Sequence, residues 1–242
     1  MTDPPRFVTA PEHVRALDFD HVLVLINYRT SNVQCLLPNA AKLWHDAATT
    51  GQLTTLPPTL STRLLATGFL RPSATPTPWP APLPAKSAPA SWGSAEHTAG
   101  TIHPAPSPGT LTATAALAAV LALTRLGPRS TALHRITTVL ARVASTCRHP
   151  ATHDQAEAAV RAVRRAGWYS PSRTACLEES AATVLFLASR RLSATWCHGV
   201  APDPVRLHAW VQTDDGSPAA EPPSTHAYTP ALTIGGHHQH QL

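Results

Sequence analysis

Three short runs rich in valine, leucine and isoleucine, at residues 13–18, 21–28 and 32–37, are separated by polar turn residues and predict three strands. Pro38-Asn39 then opens a helix carrying Leu43 and Trp44, and Pro57-Pro58 precedes a second, with Leu60, Leu64 and Leu65, that stops at Gly68. After residue 110 the apolar period changes from two to that of a helix. Residues 111–126 are rich in alanine and leucine, and 131–147 line up Leu133, Ile136, Leu140, Val143 and Cys147 on one face. Thr152 and Gln155 form a capping box for a helix ending at Gly167, and Pro171-Ser172-Arg173-Thr174 signals another start. From there 175–190 sets Cys176, Ser180, Val184 and Leu187 along one face. Residues 194–200 and 206–213 read as strands, the second returning through the turn Asp214-Asp215-Gly216-Ser217.

The pattern predicts an α+β chain. Its N-terminal module is winged-helix-like, a three-stranded sheet plus helices, and its C-terminal domain packs helices on an antiparallel sheet. With 242 residues the chain can build two cores. Residues 71–109 hold much of the proline and read as a semi-rigid linker, within which Trp92-Gly93-Ser94-Ala95-Glu96 could dock on a domain or move freely. The expected organisation is therefore a module at 1–70, a linker at 71–109, a second domain at 110–235 and a disordered His-rich tail at 236–242, where any metal affinity of His237, His238 and His240 would be incidental.

Charge adds little to this picture. The net +5 comes almost wholly from arginine, Lys42 and Lys86 being the only lysines, and with abundant alanine it reflects composition rather than a ligand. The arginines of 160–165 alternate with apolar positions, as on a solvated helix face, and no interleaved aromatics point to nucleic acid. The Ala-rich stretch is too short and too interrupted by threonine to span a membrane, and Met1-Thr2-Asp3-Pro4-Pro5 lacks the start of a signal peptide. Cys35, Cys147 and Cys197 show no C-x-x-C spacing, so neither zinc nor a disulfide framework is expected, no cofactor is implied, and a reducing cytoplasm is the expected location.

Candidate chemistry lies in the C-terminal half, where a cysteine, a histidine and an acid follow one another in papain-like order. Cys176 falls in the first turn of its helix, where free N–H groups and the positive end of the dipole favour a thiolate, although Glu178 and Glu179 oppose it. His208 lies on a strand two residues from Trp210. Glu221, beyond the Asp-Asp-Gly turn, can reach the imidazole across the hairpin, with Asp215 in reserve as a turn-forming alternative. The trio is what nucleophilic catalysis needs: a thiol, a base and an orienting acid. Cys197, next to His198 on a strand, is a second thiol without helix-dipole help.

Cys176-Leu177, Arg190-Arg191-Leu192-Ser193-Ala194, Gly199-Val200, Pro204, His208-Ala209-Trp210-Val211 and Asp215-Gly216 together resemble the B proteins of lasso-peptide biosynthesis. These are leader peptidases with a transglutaminase-like fold. The resemblance covers roughly residues 110 to 235. It implies a cysteine protease that removes the leader from a ribosomally made precursor peptide, with Cys176 as nucleophile and His208 as base; the helix start itself offers the Cys176 N–H as an oxyanion donor. Glu221 stands where the family more often has aspartate. It also implies a separate ATP-dependent, asparagine-synthetase-like lasso cyclase as partner.

The N-terminal module, with its Val-Leu-Ile-Asn strand and the stretch Leu36-Leu37-Pro38-Asn39-Ala40-Ala41-Lys42-Leu43-Trp44, resembles the precursor-recognition element of peptide-modifying enzymes. There a leader adds a strand beside the third strand and rests on the third helix, which implies peptide contacts at Val33, Cys35, Leu37, Leu60, Arg63, Leu64 and Thr67. Two other classes stay open. One is an acyl transferase of transglutaminase or arylamine-acetyltransferase type using the same trio; the other is a non-catalytic peptide- or DNA-binding winged-helix protein.

Overall fold

The computed structural model describes residues 5–85, 109–170 and 173–236. Most of the expected linker, with its Trp92 stretch, the helix-start pair Pro171-Ser172, the N-terminal Met1–Pro4 and the histidines of the tail lie outside the described residues. The fold is mixed α+β, and the chain divides into two compact units, Met1–Lys86 and Ser87–Leu242.

In the first unit the elements are β1 (Phe7–Thr9), β2 (Val14–Asp18), β3 (Leu23–Asn27), β4 (Asn32–Leu36), α1 (Pro38–Thr50), the 3-10 turn η1 (Leu53–Thr55), α2 (Pro58–Ala66), β5 (Arg71–Ser73) and β6 (Leu83–Pro84). Both helices begin on a proline, whose missing N–H costs nothing where a helix has no acceptor to offer. The main sheet runs β4-β3-β2-β6, so β4 is an edge strand. Along β4 the side chains alternate: Gln34 and Leu36 are buried, while Val33 and Cys35 face outward and Leu37 continues the outward face. Leu23, Leu25, Trp44, Leu64 and Phe69 build the core beneath.

The linker reading fails for its first part. Residues 71–85 belong to this unit: β5 pairs with β1, β6 pairs in parallel with β2, and Trp79 is buried edge-on against Trp44 with ring centroids 5.5 Å apart. The Trp79 backbone N–H also donates to the Ala48 carbonyl at 3.1 Å. One indole carries enough apolar surface to anchor a proline-rich segment whose composition otherwise reads as open chain.

The second unit holds α3 (Thr110–Arg125), η2 (Arg129–Thr131), α4 (Ala132–Ala144), β7 (His149–Pro150), α5 (His153–Trp168), α6 (Cys176–Ala188), β8 (Leu192–Ser193), β9 (Thr195–Pro202), β10 (Val205–Gln212), η3 (Pro223–Ala227) and β11 (Thr229–Ile234). The Thr152/Gln155 capping box is formed as expected. An antiparallel sheet runs β10-β9-β11, with β9 buried along its whole length. Helix α6 lies against β10 and β9, and α3 and α5 pack around α6. Such packing sets the first turn of α6 beside the middle of β10. Strand β11 escaped the sequence pattern because Thr229 and Pro230 begin it; a proline is tolerated there because β11 is at an edge. Among the described residues no helix is long and apolar enough to cross a membrane.

Candidate active site

Cys176 is the first residue of α6, half-buried, with extended Ala175 as its N-cap. Alanine has no oxygen to cap the helix, so the cap is one-sided: the Ala175 N–H donates to the Glu178 carboxylate at 3.1 Å. The first-turn N–H groups, that of Cys176 among them, therefore lack a side-chain acceptor from the N-cap and can face a developing oxyanion. Glu179, feared as a charge against the thiolate, is turned aside. It accepts from Thr174 Oγ1 at 2.8 Å and pairs with Arg164 Nε at 3.5 Å.

His208 sits on β10 opposite Gly199 of β9. Its ring stacks on Trp210 at 5.9 Å between centroids, and Tyr228 leans against it at 5.1 Å. A side chain at position 199 would collide with this arrangement. A Cβ there would stand 2.9 Å from the Trp210 ring and 2.7 Å from the Thr229 carbonyl.

Glu221 completes the arrangement. Its Oε2 lies 3.0 Å from His208 Nε2 and accepts from Thr225 Oγ1 at 3.4 Å, while its Oε1 accepts from Arg164 at 2.5 Å. The carboxylate is almost fully enclosed, at 5% exposure. Burial works to raise its pKa, but the hydrogen bond to His208 and the Arg164 charge outweigh burial and hold it below the ordinary range. The same contacts act in reverse on the imidazole. Burial would lower its pKa, yet hydrogen bonds to Cys176 and Glu221 and their negative charges lift it to about 9. With Nε2 given to the carboxylate, Nδ1 is the nitrogen left for the thiol. His208 is thus a proton holder at neutral pH, bonded on one side to an acid and on the other to a cysteine.

Cys176, His208 and Glu221 all fall within residues 118–233, which match the family model described as transglutaminase-like superfamily. Those residues form a transglutaminase-like domain. Members of this superfamily are typically cysteine-dependent enzymes, with protease-like or acyltransferase-like activities. No curated protein and no solved structure matches the chain significantly.

Other thiols and acids of the transglutaminase-like domain fall away on geometry. Cys197 is fully buried on β9, and burial pushes its thiol up to about 12, far from a nucleophile. His198 is buried too, and burial together with the His208 charge pushes it down to about 4, so it stays neutral where His208 is charged. Asp215 is a turn former: its Oδ1 accepts from Thr213 Oγ1 at 2.6 Å and from the Ser217 N–H at 3.0 Å. The expected return strand is short. Ladder contacts end at Ala219, whose N–H donates to Val211, and Glu221 reaches His208 from a loop.

Sequence reasoning placed all the arginines of α5 on a solvated face, and Arg164 corrects it by pairing with Glu221 and Glu179. A signal existed: Arg164 is four residues after buried Val160, on the inward stripe of the helix. Beneath Cys176 the side chains of Val160, Arg164, Glu179, Ser180 and Thr183 help enclose a cavity of about 10 Å³, room for about one water. In the first unit Val33, Cys35, Leu37 and Arg63 are exposed and Leu60 and Thr67 half-buried, whereas Leu64 is fully buried in the core and has no surface for a peptide.

Proposed function

We propose that the chain is a cysteine peptidase that binds the leader of a ribosomally made precursor peptide and cleaves it from the core. One observation carries the hydrolytic half of this reading: an imidazole bonded to an enclosed carboxylate on one side and to a helix-start cysteine on the other. Cys176 Sγ attacks the carbonyl of the last leader residue, and the N–H of Cys176 supports the oxyanion. His208 passes its proton to the core nitrogen, the C–N bond breaks, and the core departs with a free α-amine. Water, deprotonated by His208, then attacks the thioester and releases the leader as a carboxylic acid while the proton returns to the site. Glu221 orients the ring throughout. A free amine is what a separate ATP-dependent, lasso-type cyclase would need in order to close an amide ring.

The leader-binding half is supported by the open edge of β4, whose outward residues Val33 and Cys35, with Leu37 beyond them, offer a row to which an extended peptide can add a strand near α2. The test is mass spectrometry of a candidate precursor peptide, encoded beside this chain's gene, after incubation with wild type and with Cys176→Ala. Cleavage at a single bond by wild type alone is expected. A product carrying an added amine would replace the hydrolase by an acyl transferase, and an uncut but bound peptide would replace it by a recognition protein.

A further inference from the structure

We infer that Arg164 is the positioning residue for the acid of this site, a role that rests on the reading of Cys176, His208 and Glu221 given above. All three of its guanidinium nitrogens are engaged. Nη2 donates to Glu221 Oε1 at 2.5 Å, Nη1 donates to the Ala220 carbonyl at 2.6 Å, and Nε faces Glu179 Oε2 at 3.5 Å. One side chain of α5 therefore ties the acid-bearing loop to the first turn of the nucleophile helix.

The sheet alone does not hold this loop. The last ladder contacts of the return segment are Gln212 with Pro218 and Ala219 with Val211, two residues short of the acid. Ala220 then takes a left-handed backbone, φ 51, which costs a residue with a Cβ and persists only where neighbours enforce it. The Arg164 bond to the Ala220 carbonyl is such an enforcement. It also divides the carboxylate: Oε1 belongs to Arg164, which leaves Oε2 aimed at His208. A glutamate, longer by a methylene than an aspartate and so freer to swing, gains a fixed geometry by being gripped from behind. Lysine could keep the charge but not the fork that reaches carboxylate and carbonyl together.

The charged and titratable groups around His208 are Cys176 from α6, His198 from β9, Glu221 from the loop and Tyr228 before β11, and Arg164 from α5 joins Glu221 to Glu179 of α6. Of these, Arg164 holds Glu221 ionised. Without it the carboxylate protonates at higher pH, and the pull of Glu221 on the imidazolium is lost there first.

The experiment is the rate of iodoacetamide alkylation of the full chain, read at Cys176 by peptide mass mapping from about pH 4 to about pH 10. Wild type, Arg164→Met, Arg164→Lys and the exposed control Arg161→Met are compared, with melting temperatures alongside. Arg164→Met is expected to slow alkylation at neutral pH by roughly tenfold or more and to move the acid limb about one unit upward, Arg164→Lys to do so by less, and Arg161→Met to leave the profile in place. Profiles for both Arg164 variants that superimpose on wild type, even with lowered melting temperatures, would reduce Arg164 to a packing residue. If Arg164→Met does not fold, an unshifted Arg164→Lys profile overturns the proposal by itself. A wild-type Cys176 no faster than the exposed Cys35 would overturn the underlying assignment of the nucleophile, and Arg164 with it; this result is distinct because it appears before any substitution is made.

Discussion

At the scale of single residues, His208 decides how the site responds to pH. Its pKa is raised from 6.5 to about 9, so the imidazolium that protonates the leaving amine in the proposed mechanism persists through neutrality. The pH profile of kcat/KM for peptide cleavage is expected to fall on its basic side near pH 9. In Glu221→Gln the carboxylate charge disappears, and that limb should move down toward the ordinary histidine range. The same shift bears on stability. A folded-state pKa above the unfolded one contributes stability that is complete below pH 6.5 and is lost as pH rises through about 9. For a side chain only 20% exposed this contribution is on the order of 3 kcal/mol. Chemical denaturation on either side of that interval, in wild type and in His208→Ala, should show the wild type losing stability relative to the variant as pH rises; a difference that did not change with pH would contradict the linkage. Cys176, His208 and Glu221 were legible in the sequence because their residue types follow one another on a helix start, a strand and a return segment. Arg164 was not, because a charge on an amphipathic helix ordinarily points to water, and only the packing of α5 on the acid loop reveals that this one points inward.

At the scale of elements, β9 and β10 carry the histidine, and the join between them is tight at Gly199. Strand β9 is buried throughout, so a new methyl at 199 cannot be relieved by moving into solvent. Gly199→Ala would press on the Thr229 carbonyl and on the Trp210 ring against which His208 stacks. We expect about 1–3 kcal/mol of destabilisation, the usual cost of overpacking, with a loss of peptide cleavage larger than the melting curve alone explains. A fully active variant would show that Trp210 does not position the imidazole. Alternating or helical periodicity made β2, β3, β4, β9, β10 and the six α-helices readable, including the Thr152 cap and the two proline starts. What stayed hidden was built from contacts rather than period. Strands β1 and β5 are three residues each and pair with one another, residues 71–85 are folded by the burial of Trp79, and β11 carries a proline at its second position that its edge position allows. The edge of β4 belongs to this scale as well. Val33→Asp changes a side chain that is 40% exposed, so it is expected to leave the melting temperature nearly unchanged while weakening precursor binding in fluorescence anisotropy by roughly tenfold.

At the scale of the whole molecule, the proposed function divides the work between the two compact units, recognition in the first and chemistry in the second. Among the described residues the cavity beside Cys176 is water-sized, about 10 Å³. On the proposed reading a leader held on the first unit supplies affinity by keeping the scissile bond at high effective concentration. A peptide spanning only the leader–core junction, without the leader segment, tests this directly. Its kcat/KM is expected to fall by roughly 10²–10⁴-fold, with the loss in KM and a nearly unchanged kcat, because tethering changes encounter and not the chemistry at the bond. A separate leader peptide should inhibit cleavage of the full precursor competitively, yet leave cleavage of the junction peptide untouched. Equal kcat/KM for the two substrates would mean that the transglutaminase-like domain reads the junction by itself, and that the first unit serves some other partner.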